Sequence, residues 1–108
     1  MSEYIQVVTT TSSAEEARKI ADALVQRRLA ACVQIVGPVT SVYRWEGKVE
    51  TATEWQCLVK SRRDLLERLI DAIQGLHSYQ VPEILALPVL GGSAAYLGWL
   101  DAETREAE

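Results

Sequence analysis

The order of apolar segments predicts an α+β domain, an antiparallel sheet with helices on one face, running βαββαβ and closed by one further helix. Three observations carry this. Two stretches with helical periodicity each follow a β-branched stretch, a glycine-centred turn joins two extended segments in the middle of the chain, and no linker, low-complexity segment or repeat divides its 108 residues.

Tyr4-Ile5-Gln6-Val7-Val8-Thr9-Thr10 has the β-branched content of a first strand, and Thr11-Ser12-Ser13 breaks it. Ser12 with Glu15, or Ser13 with Glu16, forms a capping-box pattern that starts a helix near Ala14. Ala17, Ile20, Ala21 and Leu24 recur at i, i+3, i+4 and i+7 and form one buried stripe. Arg18, Lys19, Asp22 and Gln26 fall on the wet side, and Arg27-Arg28 suit the helix C-terminus. Residues 31–36 read as a second strand, Gly37-Pro38 as a kink or bulge, and Val39 to Trp45 as its continuation. The turn at Glu46-Gly47-Lys48 sends the chain back into a third strand, Glu54 to Lys60, with Trp55, Cys57 and Val59 on one face and Glu54, Gln56 and Lys60 on the other. So long a hairpin extends past what a small core covers.

Ser61, with Asp64 behind it, is the expected N-cap of a second helix carrying Leu65, Leu66, Leu69, Ile70 and Ile73, and Gly75 is the expected left-handed stop. After the loop His77-Ser78-Tyr79-Gln80-Val81-Pro82, Glu83 to Val89 reads as a fourth strand, with Pro88 placing part of it at an edge. Gly91-Gly92-Ser93 leads into a short helix with Tyr96, Leu97, Trp99 and Leu100. The chain is read as one domain, residues 1–108, with a core of about 4–101. Asp101, Glu103, Glu106 and Glu108 surround Arg105, so residues 102–108 read as a solvated acidic tail. This order is the split βαβ, ferredoxin-like arrangement, whose uncovered sheet face and edges are surfaces for self-association.

A chain of this length removes roughly two thirds of its unfolded surface from water and needs neither metal nor disulfide to fold. Its net charge of -4 argues against a nucleic-acid partner, which would call for a basic face. The strongest apolar run, Ile84 to Leu90, is far short of the ~18 residues of a membrane span and contains Pro88. Met1-Ser2-Glu3 offers no basic segment followed by an apolar one, so a cytoplasmic location is expected. Cys32 and Cys57 miss the register of a hairpin centred on Glu46-Gly47 by about four positions and read as small buried residues without a bridge.

The loop gathers the chain's one histidine, a tyrosine and a glutamate around Pro82. His77 and Glu83 are the candidate metal ligands, since imidazole suits copper, zinc or nickel and a carboxylate completes such a site. Taken by itself, His77 reads first as a structural residue that hydrogen-bonds the end of the second helix or a neighbouring strand. Tyr43, Trp45, Lys60, Tyr79 and Glu83 are candidate lining for a ligand cleft, and the aromatic members also serve as core or interface packing. No Gly-rich phosphate loop, G-x-S-x-G elbow or Cys-x-x-Cys pair is present, so no enzymatic activity is expected.

Leu29-Ala30-Ala31-Cys32, Ser41-x-Tyr43-x-Trp45-x-Gly47, Lys60, His77-x-Tyr79-x-Val81-Pro82-Glu83-Ile84, Pro88-Val89 and Tyr96-Leu97-x-Trp99-Leu100 together resemble the divalent-cation tolerance CutA family, over about Ile5 to Leu100. The resemblance implies a ferredoxin-like protomer in a homotrimer, shaped like the nitrogen-regulatory PII proteins, with clefts between protomers. It implies a part in the response to divalent metal ions, with copper(II) binding attributed to members that carry a cysteine on the first strand and a His-His pair opening the proline loop. Here those positions are Thr9 and Leu76-His77, so His77 alone of that set is present, and Ser78 stands where the family commonly has proline, which loosens the turn. Two alternatives stay open: a PII-like trimer whose cleft takes a small anion or a partner protein, and a structural scaffold.

Overall fold

The computed structural model describes residues 3–107; Met1, Ser2 and Glu108, which bear on the leader and acidic-tail readings, lie outside them. The elements are β1 (Tyr4–Thr11), α1 (Ala14–Gln26), β2 (Cys32–Trp45), β3 (Lys48–Arg62), a 3-10 turn (Arg63–Leu65), α2 (Leu66–Leu76), β4 (Leu85–Val89) and α3 (Ala94–Glu103). The sheet has the order β2-β3-β1-β4, with every neighbouring pair antiparallel. This is the expected ferredoxin-like order.

α1 begins where Ser13 accepts the Glu16 amide, and its predicted stripe of Ala17, Ile20, Ala21 and Leu24 is the buried face. That stripe packs with Leu69 and Ile73 of α2 on Ile5 and Val7 of β1 and Cys57 and Val59 of β3. Pairing of Val7 with Val59 and Thr9 with Cys57 sets the odd-numbered residues of both strands toward the helices. The even-numbered residues form the other face, where Leu87 lies opposite Gln6 and Gln34 opposite Leu58.

α3 is pinned rather than trailing. The Arg62 guanidinium donates to Thr104 Oγ1 and to the Thr104 carbonyl, each at 2.9 Å, and Arg28 donates to the Ala102 carbonyl at 3.2 Å. Thr104 is therefore buried within the stretch expected to be a solvated tail, although Glu103 and Glu106 are exposed. Tyr96 of α3 lies near Cys32, on the face away from α1 and α2. Neither cysteine is bridged, since Cys32 pairs with Lys60 and Cys57 with Ile35 on opposite faces of the sheet.

Two expected helix signals act otherwise. Ser61 does not cap α2; it is buried inside β3, where its hydroxyl donates to the Leu29 carbonyl at 2.6 Å, and the helix starts only after the 3-10 turn, without a side-chain cap. A buried hydroxyl with a partner one element away outweighs the local cap. Gly75 is not left-handed. It lies within α2, which ends at Leu76 with His77 in extended conformation; the positive φ values fall at Arg28, Glu46 and Gly47.

The hairpin sets the molecule's 44 Å length against 25 and 23 Å in the other directions. Glu46 and Gly47, both with positive φ, make the tight turn whose twist matches the flanking strands. β3 starts at Lys48, six residues earlier than expected, because pairing with β2 continues to that turn. Register shifts between Val36 and Val39, at Gly37-Pro38, whose peptide is cis. A Cβ on Gly37 would stand 2.3 Å from Trp55 Cδ1, so the indole lies directly on this backbone and the bend requires glycine.

Candidate functional site

A cleft of about 340 Å³ runs along the hairpin from Glu54, where β1 ends and the proline loop crosses, to Trp45 beside the turn. It brings together four of the sequence candidates, Tyr43, Trp45, Tyr79 and Glu83, and adds Thr10, Glu54, Gln80 and Val81. Lys60 is elsewhere. Its amine contacts the Gln6 side-chain carbonyl, and six residues of strand place it about 20 Å along β3 from Glu54.

The floor is built by hydrogen bonds from the loop to three other elements. The His77 side chain is fully buried (0% exposed). Its Nε2 donates to the Thr10 carbonyl at 2.7 Å and its Nδ1 accepts the Tyr79 amide at 3.1 Å, which requires the tautomer protonated on Nε2. Both ring nitrogens are thus engaged, and a metal at either would displace a hydrogen bond. Next to it, the Glu16 carboxylate of α1 accepts the Ser78 amide at 2.7 Å and the Ser78 hydroxyl at 3.0 Å. The serine was expected to loosen the turn. It instead supplies two donors, the amide and the hydroxyl, both of which proline lacks.

Tyr79 extends this tethering into the cleft. Its ring lies 4.9 Å from the His77 ring, and its hydroxyl donates to Glu54 Oε2 at 2.7 Å. Burial, then the bond to Glu54, pushes the Tyr79 phenol well above its ordinary value, so it remains a donor. Glu54 shares the even-numbered face with Tyr43 and is 7% exposed. Glu83 is exposed by comparison, yet burial of its carboxyl and then the Glu54 charge raise it above the ordinary carboxylate value. Two carboxylates therefore face one space that, among the described residues, no lysine or arginine lines. A small anion, expected from sequence as one ligand class, meets like charge here.

Among the described residues no group of three or more His, Cys, Asp and Glu gathers as a metal centre. Cys57 is walled off on the helix face, its thiol pushed up to about 11 by burial and by Glu16 and aimed at the Ala17 carbonyl. No helix among the described residues is long and apolar enough to cross a membrane.

A fold of this order, with the aromatic hairpin and the proline loop closing one cleft, has close counterparts. A family model described as CutA1 divalent ion tolerance protein matches residues 5–103. The chain belongs to the CutA1 family. The chloroplastic CutA protein of Arabidopsis thaliana is 46% identical over 101 residues, 94% of this chain, which spans only 56% of that longer relative. The divalent-cation tolerance protein CutA of Thermus thermophilus is 48% identical over 98 residues, 91% of this chain and 95% of that protein. The crystal structure of CutA1 from Oryza sativa superposes with a TM-score of 0.94 at 42% identity, covering 98% of this chain and 97% of that one.

CutA1 membership accounts for the fold, and Tyr43, Trp45, Tyr79, Val81 and Glu83 of the cleft belong to the motifs that carry the resemblance. Glu54, Thr10 and Glu16 were not singled out from sequence. Hairpin register alone sets Glu54 on the Tyr43 face, but its hydrogen bond to Tyr79 depends on where a loop 25 residues later returns, which no local pattern encodes.

Proposed function

We propose that this CutA1 protein serves divalent-cation tolerance as a homotrimer, binding a divalent cation, copper(II) included, in the cleft between Glu54 and Glu83. The observation that carries this is the pair of carboxylates in a space without a basic side chain, since a bound dication offsets the burial and then the Glu54 charge that raise Glu83. His77 acts here as the residue that fixes the loop and so aims Tyr79 and Glu83. Trimerisation is supported by apolar side chains left in water, Val36, Leu85 and Leu87 on the uncovered sheet face and Val42 and Val49 on the hairpin, and by β2 and β4 standing as the outer strands of the sheet. The unbridged thiols support a cytoplasmic setting. Its role is binding rather than catalysis.

Native mass spectrometry and calorimetry with copper(II) test this on the full chain. The expected species weighs about 36 kDa, three times the 12.0 kDa protomer, and takes up copper in multiples of three. Glu83→Gln is expected to weaken uptake about tenfold, the order of one charge-assisted contact. Unchanged affinity in Glu83→Gln together with Glu54→Gln would remove the cleft as the metal site, and a monomer at micromolar concentration would remove the trimer.

A further inference from the structure

The cleft is larger and more aromatic than a dication needs. Its volume is more than ten times the ~30 Å³ share of one water molecule and falls in the range of small-organic-ligand sites. Two carboxylates meet only part of the six or so oxygen donors that a hard dication takes, and no third acidic, histidine or cysteine ligand joins them among the described residues. Three aromatic side chains, Tyr43, Trp45 and Tyr79, line the space and serve no metal. Tyr43 and Trp45 stand two apart on one face of β2 beside the Gly47 turn, and Tyr79 is fixed by His77 and Glu54, so the Tyr79 wall is set before any ligand arrives.

We propose that the cleft binds a small organic cation, an alkylammonium or alkylguanidinium, with its apolar body on Trp45 and Tyr43 and its charge toward Glu83 and Glu54. Ring faces attract such a cation through their quadrupole and cover its carbon chain, while the carboxylates supply the counter-charge. The inference rests on the cleft being the working site, and it makes the organic cation and the dication mutually exclusive occupants.

The test is a titration of the assembled full chain with n-butylammonium, and with pentanoate as an anion of similar length, read from the indole N–H resonances of Trp45, Trp55 and Trp99. Butylammonium is expected to move Trp45 selectively, with a dissociation constant at or below about 1 mM. Glu83→Gln, an exposed position that leaves folding intact, is expected to weaken it about tenfold. Trp45→Leu, followed on the Tyr79 amide, is expected to weaken it about two- to fivefold. Lys60→Gln, outside the cleft, should change nothing. An equal response to pentanoate, or no movement of Trp45, overturns the proposal. Calorimetry with copper(II) on the same samples separates the two readings. Metal without ammonium binding overturns this inference alone, ammonium without metal binding removes the dication and keeps the organic cation, and failure of both removes the cleft.

Discussion

The two halves of the proline loop differ in how they are held. From His77 to Tyr79 each residue is tied to a different element, His77 to β1, Ser78 to α1 and Tyr79 to β3. From Gln80 to Glu83 the loop faces water, with Val81 66% exposed and Glu83 exposed as well. The difference teaches where the chemistry lies. Side chains whose donors and acceptors are all satisfied define a shape, whereas a carboxyl raised by burial and a neighbouring charge retains something for a ligand to offset. On this reading His77, the most conspicuous residue in the sequence, is floor, and Glu83 is rim.

The sharpest way to break that contrast is His77→Ala. It strips the Thr10 carbonyl and the Tyr79 amide of their partner and leaves a cavity beneath the loop, so a loss of about 2–4 kcal/mol is expected in denaturant unfolding. A variant as stable as the parent that had only lost cation binding would make His77 a ligand and undo the distinction. Tyr79→Phe comes next. Without the hydroxyl, Glu54 stays buried with its Oε2 unpaired, which costs about 1–3 kcal/mol and, more tellingly, frees the loop from the hairpin. Amide exchange around Tyr79 and Gln80 is expected to quicken while that of β1 and α1 is unchanged. Uniform quickening would mean that the bond supports the whole fold and not this loop.

Much of the fold was legible because it is written in local periodicity. The α1 stripe, the Glu46-Gly47 turn and the Gly37-Pro38 break each depend on residues within a few positions of one another, and each stands where the pattern put it. What was misread depends on distance in the chain. Ser61 carries a helix-cap signature but answers a carbonyl 32 residues earlier, and Thr104 sits in an acidic run yet answers Arg62. The site shows the same division. Tyr43, Trp45, Tyr79 and Glu83 are aromatic or acidic residues at exposed turns and loops, which single-sequence reading detects. Lys60 was grouped with them as a polar group and does not line this protomer's cleft, while Glu54 was noted only for the strand face it shares with Gln56 and Lys60. Burial of Glu54 comes from Tyr79 and the hairpin root together, a meeting of three segments.

The smallest expected effect is also the most direct probe of the rim. Glu83 is raised above its ordinary carboxylate value in the folded protein, first by burial and then by Glu54, so between the unfolded and folded values the folded state holds more protons. Below that window the carboxyl is protonated in both states and contributes nothing. As pH rises through it, the folded protein must ionise a group that its surroundings disfavour, and stability falls. Because Glu83 is exposed to water, the loss is screened to under about 0.5 kcal/mol, and Glu83→Gln should recover it at neutral pH while matching the parent in acid. Thermal melts of both proteins from pH 4 to 7 measure the gap. A cation in the cleft reverses the sign, since it favours the ionised carboxyl; with saturating butylammonium or copper(II) the parent should become the more stable of the two as pH rises. A gap that neither opens with pH nor inverts with a cation would return Glu83 to ordinary surface and leave the loop without a rim distinct from its floor.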